Sequence, residues 1–244
     1  MIYDEILKKS AENKKQIALL IDPDKIRIKD LKKLITKIKA TPPDLIFAGG
    51  SLISTRMDDI VKTIKDGCKI PVVLFPGSSI QISRDADGIL FLSLLSGRNP
   101  EFLISHHVSS APLLKASGME IISTGYLLVD GGKMSSVEYI SNTKPIPHDK
   151  NDLAASTAMA GEMLGMKLLY LEAGSGAIAP VPASMISKVK EQTNIPLIVG
   201  GGLNSTGKIK NACNAGADIV VVGNAFEKDP DLLRSFVETV REIN

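Results

Sequence analysis

The feature that most constrains this chain is a short apolar run that recurs without polar alternation. Ile219-Val220-Val221-Val222 presents apolar side chains to both sides of a pleat, and Ile198-Val199 runs out of an apolar segment of the same shape one unit earlier. A strand of this kind is buried on both faces, as in a parallel sheet covered by helices. Both runs end in glycine, at Gly200-Gly201-Gly202 and at Gly223-Asn224, and the first then enters a helix start at Asn204-Ser205-Thr206. Glycine lets backbone N–H groups approach an anion, and a helix N-terminus adds unpaired donors and a favourable dipole. The pair predicts a phosphate grip on the last two strands.

The same unit can be followed from the N-terminus. A short amphipathic helix over 3–13 precedes the apolar run Gln16 to Ile21, which ends in Asp22-Pro23-Asp24-Lys25. Leu31, Leu34, Ile35 and Ile38 then fall at helical spacing. Asp44 to Ala48 closes on Gly49-Gly50-Ser51, and a helix follows from about Arg56 to Asp66. Pro71 to Phe75 closes on Pro76-Gly77-Ser78-Ser79, but the connection to the next run, Gly88 to Leu92, is short, so the third helix is expected to be reduced or missing. Asn99-Pro100 opens a helix through Ser117, and Met119 to Val129 is a fifth strand. Residues 131–149 read as an irregular excursion. A helix over Asp152 to Leu164, a strand over Lys167 to Leu171, a loop from Glu172 to Pro182 and the two opening units complete the chain, with a last helix from Asp229 to Glu242. Alternating βα units imply a parallel sheet with right-handed crossovers. Eight units in 244 residues favour an α/β fold of the closed TIM-barrel type, (β/α)8, with residues 1–244 as one domain.

Composition removes several classes of function. The 29 basic and 27 acidic residues are scattered, so nucleic acid is not an expected partner. Cys68 and Cys213 have no metal-type spacing and suit a reducing, cytoplasmic setting. No apolar stretch approaches the roughly 20 residues of a membrane span, and the N-terminus lacks the apolar core of a signal peptide.

A barrel gathers its strand ends on one face. Asp22 and Asp24, Ser51, Phe75-Pro76-Gly77, Tyr170 with Glu172, Gly174-Ser175-Gly176, Gly201-Gly202 and Gly223-Asn224 therefore pool into one site. The glycine loops and hydroxyls of strands six to eight suit a phosphomonoester. Asp22 and Ser51 offer hard oxygen ligands suited to Mg²⁺. Plainer readings compete at each position: glycines as tight turns, Ser51 as a helix cap, and Asp24 as a helix N-cap, the role that suits it better. Glu172 directly follows an apolar strand, so it projects into the site or is otherwise paired. His106, His107 and His148 show no metal arrangement, and the adjacent pair reads as helix surface or interface. Phe102, Leu103, Ile104 and Val108 read as core rather than as a ligand channel.

Taken together, Leu20-Ile21-Asp22-Pro23-Asp24-Lys25, Gly49-Gly50-Ser51, Leu74-Phe75-Pro76-Gly77, Tyr170-Leu171-Glu172-Ala173-Gly174-Ser175-Gly176, Gly200-Gly201-Gly202 and Val222-Gly223-Asn224 resemble the geranylgeranylglyceryl phosphate synthase family over nearly the whole chain. The Glu-Ala-Gly-Ser-Gly form looks like the family's second group rather than the shorter Glu-Tyr-Ser-Gly version. The resemblance implies a prenyltransferase that joins sn-glycerol 1-phosphate to geranylgeranyl diphosphate, with Mg²⁺ at Asp22 and Ser51. It implies glycerol phosphate at Tyr170, Leu171, Glu172, Ala173, Gly174, Ser175, Gly176, Gly201, Gly202, Gly223 and Asn224, with Glu172 and Tyr170 catalytic. It also implies a homo-oligomer whose product passes to the membrane. One departure is Leu20, where the first group carries a lysine. Alternatives of other kinds are the same transfer with another prenyl length such as heptaprenyl, a phosphosugar lyase or isomerase on the same barrel, and a non-catalytic prenyl or phosphate binder.

Overall fold

The computed structural model describes residues 1–78, 80–223, 226, 229 and 231–244. Eight parallel strands close into a barrel in sequence order: β1 (Gln16–Ile21), β2 (Leu45–Ala48), β3 (Val72–Leu74), β4 (Gly88–Leu94), β5 (Glu120–Leu128), β6 (Leu168–Glu172), β7 (Leu197–Gly200) and β8 (Ile219–Val222). Closure pairs Ile17 of β1 with Val220 of β8.

The unalternating strands have a direct structural cause. Ile17, Leu19 and Ile21 pack outward against helices, whereas Ala18 and Leu20 face the barrel interior with Phe47, Val73, Tyr170 and Val221. Both faces are dry, so both are apolar. The outer layer comprises α2 (Ile28–Ala40), α3 (Met57–Gly67), α4 (His106–Ser117), α6 (Asn151–Met163), α7 (Ala183–Gln192), α8 (Thr206–Asn214) and α9 (Leu232–Ile243). Leu31, Leu34, Ile35 and Ile38 of α2 are all buried, as their spacing requires.

The N-terminal helix, α1 (Ile2–Ala11), closes the bottom of the barrel by placing Ile6 among the interior residues. Its first N–H groups, of Ile2 and Tyr3, are taken by the Glu120 carboxylate. Three aspartates brace the same end in one manner. Asp44, Asp87 and Asp218 accept the N–H of Ile17, Val72 and Leu197, and each pairs with a lysine: Lys9, Lys65 and Lys190 respectively.

The described residues between β3 and β4 carry no helix, as the short connection predicts. Two expectations need correction. The excursion after β5 is not wholly irregular: it holds α5 (Ser136–Ser141), whose N-cap Ser135 accepts the Glu138 N–H at 3.1 Å. Ser135 and Glu138 have the spacing of a capping box, a readable signal for this helix. The fourth helix begins as a π-helical turn over Glu101–Ser105 before α4 proper.

Candidate active site

The polar half of the mouth is built on β6 and β7. Glu172, the last residue of β6, is 7% exposed, and its Oε1 accepts the Gly174 N–H at 2.8 Å. Burial pushes its pKa up to about 7, with the Gly174 N–H working in the opposite direction. Tyr170, two residues earlier on the same face, is fully buried, and its hydroxyl lacks a hydrogen-bond partner. Burial first, then the nearby Glu172 charge, raises the Tyr170 pKa well above that of an ordinary phenol. The hydroxyl therefore lies close to the Glu172 carboxylate, the two groups shifting one another's titration.

Glycine is required beside this pair. A Cβ on Gly200 would lie 2.5 Å from Glu172 Oε2 and 2.6 Å from the Tyr170 hydroxyl. Gly201 has φ +83°, and its Cβ would fall 2.6 Å from both Glu172 Oε1 and the Ala173 nitrogen. Gly174, Ser175, Gly176, Gly201, Gly202 and Gly223 line the same cavity of about 510 Å³, together with Tyr126 and Asp22. The loop after β6 is further held by the Gly131 carbonyl, which accepts the N–H groups of Ile178 and Ala179 at 2.9 and 3.1 Å. That support lies in the excursion after β5 and was not apparent from sequence.

Not every expected residue reaches the cavity. Leu171 and Ala173 belong to the outer core between strands and helices, so their side chains point away from it. Asn224 lies outside the described residues. Asp24 does not cap α2, whose N-cap is Arg27 without a side-chain bond. Its carboxylate instead takes the Ser54 and Thr55 N–H groups, each at 2.8 Å, and Thr55 above all, with Ser54, holds its pKa down at about 2. Ser51 does not cap α3, whose N-cap is Arg56.

Asp22 and Ser51 both line the cavity. Asp22 Oδ1 accepts the Asp24 N–H at 3.1 Å, and its Oδ2 lies 3.0 Å from Lys25 Nζ. Gly50 leaves the carboxylate uncovered, since a Cβ there would come within 3.3 Å of it. Among the described residues no three His, Cys, Asp or Glu side chains group together. The donor set is therefore a carboxylate and a hydroxyl lining one cavity, which fits a hard ion that keeps several waters, as Mg²⁺ does.

Next to this cavity runs an apolar slot. Pro76, Ile82, Leu90, Leu92, Phe102 and Leu114 line it, and it shares Ser51, Phe75 and Tyr126 with the polar cavity. Phe75 and Tyr126 line both cavities, their rings 6.1 Å apart, and so form the partition, with the buried Tyr170 ring stacked 5.3 Å from that of Phe75. Among the described residues no helix covers the flank of β3 and β4, which leaves the slot open there, and α4 forms its far wall. This corrects two readings. His107 is buried, edge-on to Phe91 at 4.4 Å, with Nε2 3.1 Å from the Ser93 hydroxyl, while burial lowers its pKa. Phe102 lines the slot, while Ile104 and Val108 are 58% and 66% exposed rather than core.

Comparison with known proteins gives a consistent picture. A geranylgeranylglyceryl phosphate synthase of Chitinophaga pinensis is 53% identical over 240 residues, covering 98% of this chain and 95% of the relative. The protein of that name from Spirosoma linguale is 50% identical, covering 95% and 93%. The crystal structure of (S)-3-O-geranylgeranylglyceryl phosphate synthase from Thermoplasma acidophilum in complex with its substrate sn-glycerol-1-phosphate superposes with a TM-score of 0.94 at 33% identity, covering 99% of each chain. Residues 9–240 match the PcrB family. On both the match and the relatives, this chain belongs to the PcrB family.

Proposed function

We propose that the chain transfers a geranylgeranyl group from its diphosphate to the C3 hydroxyl of sn-glycerol 1-phosphate. The observation that carries this reading is the meeting of two unlike chambers at one aromatic partition, one polar and glycine-lined, the other an apolar slot. Relatives sharing half of the sequence bear the name of that activity, and a structural relative holds the acceptor.

The chain's own groups account for the chemistry. The phosphate of the acceptor rests against the 174–176 and 201–202 loops, where Gly174, Gly176, Gly201 and Gly202 let the backbone approach the ligand. Glu172, titrating at about 7, accepts the proton of the glycerol C3 hydroxyl as that oxygen bonds to C1 of the prenyl group. The orphaned Tyr170 hydroxyl orients the same oxygen. The C1–diphosphate bond breaks, and the prenyl tail lies in the slot beyond Phe75. Asp22 and Ser51 would hold Mg²⁺, which would supply charge neutralisation for the departing diphosphate. Holding both substrates at one partition fixes the reacting atoms and leaves little room for water. The outer face of α4, where Ile104, Val108 and Leu113 are exposed, supports assembly into a homo-oligomer.

The test is mass analysis of products formed from C10 to C35 prenyl diphosphates with each enantiomer of glycerol phosphate and Mg²⁺. The expected product is geranylgeranylglyceryl phosphate from the 1-phosphate. Turnover of glycerol phosphate without a prenyl donor, or no ether product at any length, would contradict the reading.

A further inference from the structure

Among the large apolar side chains left in water, six stand at the mouth of the barrel: Leu52, Ile80, Met134, Tyr139, Ile140 and Ile178. They come from the connections after β2, β3, β5 and β6, loops that follow one another around the rim with only the short β4 connection between. Leu52 and Ile140 also line the polar cavity, and Ile140 the slot, so apolar surface continues from the rim inward. Loops at a strand-end face have no packing need for such residues, and a grouped apolar surface marks an interaction site.

The charges around it narrow the partner. Exposed Arg84, Arg98, Lys133 and Lys144 are nearly balanced by Asp85, Asp130 and Glu138 on the same loops. A rim of this kind does not select a polyanion. It offers hydrocarbon contact framed by both signs of charge, and Tyr139 adds a ring of the amphipathic type that settles where one end is dry and the other wet. Among the described residues no helix is long and apolar enough to cross a membrane, so contact would be made from one side. The exposed face of α4 lines neither cavity and has no such continuity.

We propose that this rim docks on a lipid surface, with the six side chains in the interfacial layer. The slot then opens toward the hydrocarbon from which a long prenyl donor enters and into which the ether product leaves. The substrate part of this proposal rests on the prenyl-transfer reading; the docking itself can be tested apart from it.

The experiment floats the full-length protein on a density gradient with extruded phosphatidylcholine vesicles, with and without a minor fraction of phosphatidylglycerol. Wild type is expected to rise with both. Removing one inserted aliphatic side chain lowers partitioning on the order of tenfold, so the triple variant Ile80→Ser, Met134→Ser, Ile178→Ser should lose about a hundredfold or more. The control Ile104→Ser, Val108→Ser should float as wild type does. Both variants should keep wild-type turnover of a water-soluble C10 donor in solution, which also shows that they fold. Wild type that stays at the bottom, flotation only with the anionic lipid, or a triple variant that floats unchanged would each overturn the docking. So would a triple variant that floats unchanged while its assembly shrinks in solution, which would assign the rim to contacts between copies. Absence of C10 turnover in wild type would remove the prenyl-transfer reading without touching the flotation result.

Discussion

The two halves of the site are built by different means. The polar half draws Glu172, Gly174 and Gly176 from one strand and its loop, and Gly201 and Gly202 from the next, with Tyr170 and Gly200 packed against Glu172, so a few sequence-local turns create it. The apolar half is assembled from the β3 end, β4, a π-helical turn and α4, of which only the β3 end carries a motif, Leu74 to Gly77. The first half depends on backbone approach at ångström scale, the second on an uncovered flank. A polar site can therefore be damaged by one methyl group, whereas a slot should yield gradually as it is filled.

The sharpest way to break this contrast is at Glu172. Glu172→Gln should lower kcat by about 10² to 10⁴-fold, the usual share of a general base. In wild type, kcat/KM should rise with pH through the Glu172 pKa of about 7, a limb that the variant lacks. The same change should stabilise the fold. The folded carboxyl titrates at about 7 against an ordinary value of 4.5, so between these pH values the folded state holds a proton that the unfolded chain has lost. Stability accordingly falls as pH rises from 4.5 to about 7 and stays lower above it. Removing the charge should recover up to roughly 3 kcal/mol at pH 8, with little gain below pH 4.5, as read from Tm at the two pH values.

Gly200→Ala comes next. Its Cβ would stand 2.5 Å from Glu172 Oε2, so the carboxylate or the tyrosine must shift, and kcat/KM for the acceptor should fall on the order of 10²-fold. Kinetics with varied glycerol phosphate at saturating donor would check it. In the other half, Ser110→Phe adds a ring where Ser110 lines the slot. Turnover of a C20 donor should fall about tenfold relative to a C10 donor, the scale of excess volume in an apolar pocket. Equal loss for both donors would deny that the slot holds the tail. Smallest is Asp24→Asn, which weakens an exposed tie to the Ser54 and Thr55 loop and should cost about 1 kcal/mol or less. Wild type should lose that tie only in acid, as pH falls from 3.8 toward about 2, while the variant shows no such acid step in Tm.

The contrast between the halves also explains what sequence could convey. Strand burial on both faces forces unbroken apolar runs, so the closed barrel and its helix-free β3–β4 connection were legible. Glu172 at the end of β6 and the glycines at the end of β7 were legible for the same local reason. The direction of individual side chains was less so: Leu171 lies inside the Tyr170 to Gly176 motif yet faces the helices, because adjacent strand residues alternate sides. His107 looked like a surface residue because its partners, Ser93 and Phe91, belong to a strand more than a dozen residues away. The role of Asp24 was hidden for a similar reason, since the loop it holds lies some thirty residues on. The slot was signalled only indirectly, by the short β3–β4 connection, because its β4 and α4 walls carry no motif.

The central claim is that acceptor and prenyl group occupy separate chambers that meet at the Phe75 and Tyr126 partition. It is tested most directly by calorimetric titration of sn-glycerol 1-phosphate into Gly200→Ala and Ser110→Phe side by side. The account predicts that binding is lost or strongly weakened in the first and unchanged in the second. Equal weakening in both, or loss in Ser110→Phe alone, would contradict it.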